Sequence, residues 1–217
     1  MRELVVKGIG KATVTPDIVV LYMSLKVTEP EYEKSMRSGA EMLDNLRTAV
    51  VSVGHGGKDL KSTSFNIDAT YENYKENDEW KKRFAGYTCS YGLKLEFDLD
   101  MHMLGATLGA IAGCDSDPTL DIKFSIKNPD EVSRELLESA VENAKQKAVI
   151  LAKSAGVTLG TIQRIEYNWN EHHLYSGTNV LLGSFDTVNE SPRSMPMDIE
   201  PEEIDFRDTA MIVWEIK

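Results

Sequence analysis

Reactive side chains are scarce in this chain. Its 217 residues include two cysteines, Cys89 and Cys114, and four histidines. The cysteines fit no metal or redox spacing, which sets aside zinc ribbons and dithiol oxidoreductases. Cys89 falls on the apolar face of an alternating segment and reads as a buried free thiol rather than half of a disulfide. Long hydrophobic runs are missing as well. No segment approaches the roughly 18 apolar residues of a membrane span. At the amino terminus, Leu4 to Val6 is the whole apolar stretch before Lys7, short of the roughly 7–15 residues in the core of a signal peptide. These absences predict a cytoplasmic protein, or a periplasmic or cell-envelope one if its natural start has been removed. Positive charge is in deficit. The net charge is -11, with the acids scattered, which argues against nonspecific binding to nucleic acid or anionic lipid.

Motifs of catalysis are equally thin. Gly8-Ile9-Gly10 lacks a third glycine and is followed by a strand, so it is not a dinucleotide fingerprint. Gly54-His55-Gly56-Gly57-Lys58-Asp59 looks like a phosphate loop, but it follows a helix and precedes a strand, and Asp59 stands where Ser or Thr is required. It reads as a helix terminator and turn. The chain has no Gly-x-Ser-x-Gly elbow and no His-Glu-x-x-His pair. Asp115 and Asp117 flank Ser116 before Pro118 as in a turn, without the further ligands of a calcium loop. His172 and His173 are adjacent, so their side chains diverge on most backbones, and no Cys or acid lies at ligand spacing from them. No catalytic residue, cofactor or metal ligand is therefore assigned, and whether that histidine pair binds a metal is left open.

What the chain does carry is packing information. Ala140, Ala144, Ala148, Ala152 and Ala155 recur three or four residues apart within 136–160. A stripe of small side chains lets a helix approach a flat sheet closely. Asn128 caps this helix, Pro129 opens it, and Gly156 stops it. An earlier helix is expected after a Thr28 cap, with Tyr32, Met36, Ala40, Leu43, Leu46, Val50 and Val53 on one face. A short one spans Met101 to Ala112, with Leu104, Leu108 and Ile111 inward. Strands are expected at Leu4–Ala12 and Ile18–Val27, with Gly8 and Gly10 marking a bulge or a close backbone approach. Phe65, Ile67, Ala69 and Tyr71 alternate with polar residues. So do Tyr87, Cys89, Tyr91, Leu93, Leu95 and Phe97, as in a sheet covered on one side. Further strands are read at Leu120–Ile126, Thr161–Asn170 and Ile204–Lys217. The fold class predicted is α+β: a mostly antiparallel sheet with three helices packed on it, in the order β-β-α-β-β-α-β-α-β-β.

Two regions stand outside this plan. Residues 72–86 form a projecting hairpin tip, too long for a tight turn. It holds Trp80, Lys81, Lys82, Arg83 and Phe84, where bases beside aromatics suit either contact with an acidic partner or a nucleic acid, or a solvated tip whose aromatics pack locally or across a subunit interface. The second reading is favoured. The other region is a polar, proline-bearing segment, about 171–203, of the length that is usually mobile or functional.

Taken together, four stretches resemble the SIMPL domain family. They are Val6-Lys7-Gly8-Ile9-Gly10 leading to Pro16-Asp17, then Leu60, Ser62, Thr63 and Phe65, then Gly86-Tyr87 opening the strand that ends at Phe97. The last is Ala140, Ala144, Lys147, Ala148, Leu151, Ala152, Gly156, Leu159 and Gly160. The resemblance covers nearly all of residues 1–217 as a single domain. It implies an α+β fold, a tendency to form homo-oligomers, and ring- or channel-like assembly similar to that of one member. It carries no catalytic residues. Many bacterial members have an export signal, which this chain does not show. The function expected is a non-enzymatic, oligomer-forming scaffold or stress-related protein, with Trp80, Lys81, Lys82, Arg83 and Phe84 as interface candidates. The alternative is a binding module for a protein or small ligand that uses 171–203 as a lid or docking peptide. An enzyme is the third reading. No nucleic acid and no membrane span are expected.

Overall fold

Alternating apolar residues make strands and apolar residues three to four apart make helices, and the chain switches between these patterns six times. The computed structural model describes residues 2–76, 78–167, 174–182 and 199–217. In order the elements are β1 (Arg2–Val14), β2 (Ile18–Glu29), α1 (Tyr32–Ser52), β3 (Lys61–Glu76), β4 (Glu79–Asp98) and α2 (Met101–Ala112). Then come β5 (Thr119–Ser125), α3 (Pro129–Ala155), β6 (Leu159–Tyr167), β7 (Tyr175–Leu182) and β8 (Ile204–Ile216). The fold is α+β with antiparallel pairing, as the sequence predicts. The strands are shared between two sheets, ordered β1-β8-β6 and β3-β4-β2-β5-β7. The additional strand, β7, lies inside the segment read as a loop. Val180 packs against the core there, although Gly177 and Asn179 hide any strand pattern in the sequence.

The chain forms two compact units. The first is drawn from Met1–Pro16, Ser125–Gly177 and Pro201–Lys217. Here α3 lies on β1 and β8, and Ala140, Ala144, Ala148 and Ala152 are all buried. The glycines of β1 are what allow this. A methyl group at Gly8 would overlap the carbonyl oxygen of Ala140, and one at Gly10 the carbonyl oxygen of Leu136. Strand backbone and helix backbone are thus in direct contact, with Val6, Ile212 and Trp214 filling the space beside the alanines. Ala155 is exposed, one turn beyond the contact. Gly156 takes a left-handed φ of 69° and ends the helix, a conformation glycine adopts without strain. Along the outer edge of β1 the helix supplies side chains to the backbone. Asn143 Oδ1 accepts the Ile9 N–H at 3.1 Å, and Lys147 Nζ donates to the Lys7 carbonyl at 3.2 Å.

The second unit comprises Asp17–Phe124 and Thr178–Glu200. Its core joins Val19, Leu21, Met23 and Leu25 of β2, Leu93 and Leu95 of β4, Leu46 and Val50 of α1, Leu104, Leu108 and Ile111 of α2, and Ile122 and Phe124 of β5. Each of these larger side chains stabilises the unit by about 1.5–3 kcal/mol relative to exposure. Helix α2 has the predicted limits, and Asp100 caps it by accepting the N–H groups of His102 and Met103.

Helix α1 departs from expectation in two ways. Its N-cap is Glu31, without a side-chain cap bond, because β2 runs on to Glu29 and takes Thr28 into the sheet. Its buried stripe is Ser35, Gly39, Leu46 and Val50, while Tyr32, Met36 and Ala40 are exposed. The helix is rotated because it must cross Cys89 closely. A Cβ at Gly39 would sit 2.6 Å from Cys89 Sγ. Asn128 occupies the N-cap position of α3 with Pro129 following, but its side chain makes no cap bond.

Two glycine substitutions should separate these effects. Gly8→Ala should lose at least about 2 kcal/mol in urea denaturation, because overpacking a backbone contact forces the helix outward. Gly109→Ala, where an added Cβ meets nothing within 4 Å, should gain up to about 1 kcal/mol from helix propensity alone. Equal effects would contradict the close-contact account.

Candidate functional site

The segment of β3 and β4 beyond residue 70 leaves the body of its sheet. Strand β2 ends at Glu29, paired with Tyr87. At that point a bulge falls between Thr70 and Tyr71, whose partners are Gly86 and Phe84. Gly86 has φ +144°, and a Cβ there would meet the Glu29 carbonyl oxygen at 2.5 Å. Only glycine suits this corner. From there β3 and β4 continue as a ribbon of two strands, paired down to Glu76 and Glu79. The predicted long loop is thus strand over most of its length, with Asp78 at φ +66° just before β4. Six residues a side give an arm about 20 Å long. The polar and charged composition of ENYKENDEWKKRFAG disguises it, since neither face of a ribbon needs to be apolar when neither is buried.

Strand alternation divides the five candidate residues between two faces. Lys81 and Arg83 share one face with Glu72 and Glu76. Arg83 is ion-paired to Glu72 and lies 5.5 Å from the Tyr74 ring, and Lys81 is paired to Glu76 at 2.6 Å. These are exposed pairs, worth about 0–1 kcal/mol each and weakened by salt. Trp80, Lys82 and Phe84 share the opposite face with Tyr71, Asn73 and Lys75. Trp80 is 73% exposed, and Tyr71 and Phe84 are also largely uncovered. The rings of Tyr71, Phe84, Tyr87 and Tyr32 form an edge-to-face chain with centroid spacings of 5.8, 5.2 and 5.7 Å. It ties the base of the arm to the first turn of α1, which explains why Tyr32 is not in the core. Phe65 and Tyr91 form a further pair at 4.7 Å. Strand β3, an edge strand, is exposed along nearly its whole length, so Phe65 and Tyr71 lie outside the core the alternation suggested.

Three other places hold polar groups where the sequence suggested none. The first is His55, buried in the glycine turn, with Nε2 2.7 Å from Thr107 Oγ1. Burial lowers its pKa, against a smaller opposing pull from Asp59. The second is Asp208, 1% exposed. Its Oδ2 accepts the Tyr167 hydroxyl at 2.8 Å, and its Oδ1 accepts the Thr209 N–H at 2.7 Å. The hydrogen bond to Asp208 raises the Tyr167 pKa, moving the phenol further from any role as a base. A signal existed in the sequence: an acid occupies an inward position of the alternation Ile204, Phe206, Asp208, Ala210, Ile212. The third is a cleft of about 600 Å³ between α1 and α2, lined by Thr48, Ala49, Ser52, Gly109, Ala110 and Cys114 among others. Cys89 is buried and free, its thiol pKa pushed up by burial. Among the described residues no three His, Cys, Asp or Glu side chains are grouped to hold a metal. His172 and His173 lie outside the described residues, as does Trp169.

Against this geometry the comparisons with known proteins are informative. The family model for SIMPL, described as a protein of unknown function (DUF541), matches residues 4–214. The chain belongs to the SIMPL family. Two curated relatives are similar to this SIMPL chain, each named a 26 kDa periplasmic immunogenic protein, from Brucella melitensis and Brucella abortus. Both are 26% identical over 164 residues, covering 75% of this chain and 65% of the relative. The match thus spans a little under two thirds, 65%, of the length of those relatives. Their names place them in the periplasm, in line with the alternative localisation rather than the cytoplasmic one. No described helix is long and apolar enough to cross a membrane.

Pairing within the arm leaves little positive charge to offer a polyanion. Mixed with single-stranded or duplex DNA at 150 mM salt, the protein should migrate unshifted in a native gel. A stable complex would show that Lys81 and Arg83 exchange their carboxylate partners for phosphate.

Proposed function

We propose that this SIMPL chain is a non-enzymatic scaffold of the cell envelope that works as a homo-oligomer. One observation carries the reading: a projecting two-stranded ribbon with an uncovered aromatic face, Tyr71, Trp80 and Phe84. A lone ribbon of two strands is marginally stable in water, and large rings left exposed side by side mark interaction surfaces. A second copy is the occupant that fits best. The opposite face of the arm satisfies its own charges internally, and β3 offers a free strand edge running from the sheet onto the arm. The envelope placement rests on the names of the relatives. The chemistry of the described residues supports the non-enzymatic part. The buried Asp208 is engaged by Tyr167 and the Thr209 backbone, and Cys89 is held as a thiol. The docking-peptide alternative loses residues 175–182, which belong to the sheet.

Native mass spectrometry and light scattering at micromolar concentration test this. The wild-type chain should run as an oligomer of defined mass. Trp80→Ser with Phe84→Ser should shift the population towards monomer by tenfold or more in dissociation constant, with the circular dichroism of the body unchanged. A monomeric wild type, or a double variant of unaltered mass, would remove the arm from the assembly.

A further inference from the structure

The connection from α1 to β3 is anchored by two buried side chains, Leu60 in the apolar core and His55, and of these His55 is the one that can ionise. His55 is 8% exposed, its ring centroid 4.9 Å from that of Phe97 on β4 and its Nε2 2.7 Å from the Thr107 hydroxyl on α2. The Thr107 hydroxyl has a single proton, which it donates to the Met103 carbonyl at 2.7 Å. Towards His55 it can therefore only accept. The ring must carry a proton on Nε2, and in its neutral form Nδ1 is then bare. The backbone N–H of His55 is tied to the Val50 carbonyl at 3.3 Å. One residue thus joins the end of α1, the middle of α2 and the inner surface of β4, with a ring that fits as the neutral tautomer.

We propose that His55 is an acid-released latch, holding α2 to the α1–β3 connection while neutral and letting go when protonated. A second proton, on Nδ1, would place a full charge beside Phe97 in a site nearly closed to water. The groups that contact the ring from α2 and β4, Thr107 and Phe97, carry no charge to balance it. The charged group that bears on the ring is Asp59 of its own connection, and that carboxylate already accepts the Gly56 N–H at 2.7 Å. Its pull is smaller than the effect of burial. The direction follows from linkage. In the unfolded or opened chain a histidine titrates near about 6.5, whereas in the closed form its pKa is lower. Above the open-state value both forms are neutral and the latch is at full strength. As pH falls from there towards the closed-state value, only the open form takes up the proton, so opening grows by up to about tenfold per pH unit.

The full chain is examined at pH 7.5 and 5.0 by hydrogen exchange, corrected for intrinsic rates, and by thermal unfolding. In the wild type, protection of residues 101–112 should fall at pH 5.0, with a lower midpoint of unfolding. His55→Gln keeps an amide donor for Thr107 but cannot ionise, so both changes should shrink. Wild type and variant with the same pH dependence would overturn the proposal. Should His55→Gln fail to fold, nuclear magnetic resonance titration of the wild-type ring decides. A midpoint clearly below 6.5 from an Nε2-protonated neutral ring supports the latch, and one at or above 6.5 overturns it.

Discussion

The contact between the backbone of β1 and the backbone of α3 is the constraint on which the first unit rests. Most helices stand off a sheet by the depth of their side chains. Here Gly8 and Gly10 on one side and Ala140 and Ala144 on the other remove that depth. Attraction between closely packed atoms is individually small and grows with their number, so a long, close seam compensates for the small apolar area each alanine buries. It also fixes the register of the helix along the strand, since a shift of one residue would bring larger side chains against the glycines. Ala152 and Gly156 then set where α3 stops, and with it the start of β6.

The second unit is built on the opposite principle. Its core consists of large aliphatic residues from two helices and the sheet, with a close helix-to-sheet approach at Gly39 and Cys89. What distinguishes it is the material that leaves the core. Beyond the Gly86 corner, β3 and β4 have each other and nothing else among the described residues. The ring chain from Tyr71 to Tyr32 steadies the base of the arm, and the ion pairs steady one of its faces.

Much of this architecture is readable in the chain itself. Helix α3 and its alanine stripe, the limits of α2, and the inward face of β4 follow from periodicity, because burial there is one-sided and the side chains obey it. The departures have a common cause. Residues 72–86 were not recognisable as strand because a solvated ribbon needs no apolar face. Tyr32 and Met36 were assigned to the core by spacing, but helix orientation is decided by the nearest approach, and that is set by the glycine at 39. Of the candidate residues, Trp80 and Phe84 share a face that sequence order cannot reveal, since Lys81 and Arg83 alternate with them onto the other side. His55 looks like an ordinary turn residue until α2, distant in sequence, folds over it. Asp208 was visible as a carboxylate out of pattern, although its partner Tyr167 lies 41 residues away.

The side chains that α3 sends to the outer edge of β1 give this unit a polarity. Asn143 and Lys147 occupy the Ile9 and Lys7 backbone groups that an incoming strand would need. At the far side β6 has no such helix-borne cover from these residues, and Ile162 and Ile165 stand exposed along it. Among the described residues, any extension of this three-stranded layer is therefore one-way: blocked at its first strand and open at its last. Through this layer alone, two copies can meet once, open edge to open edge, and add no third.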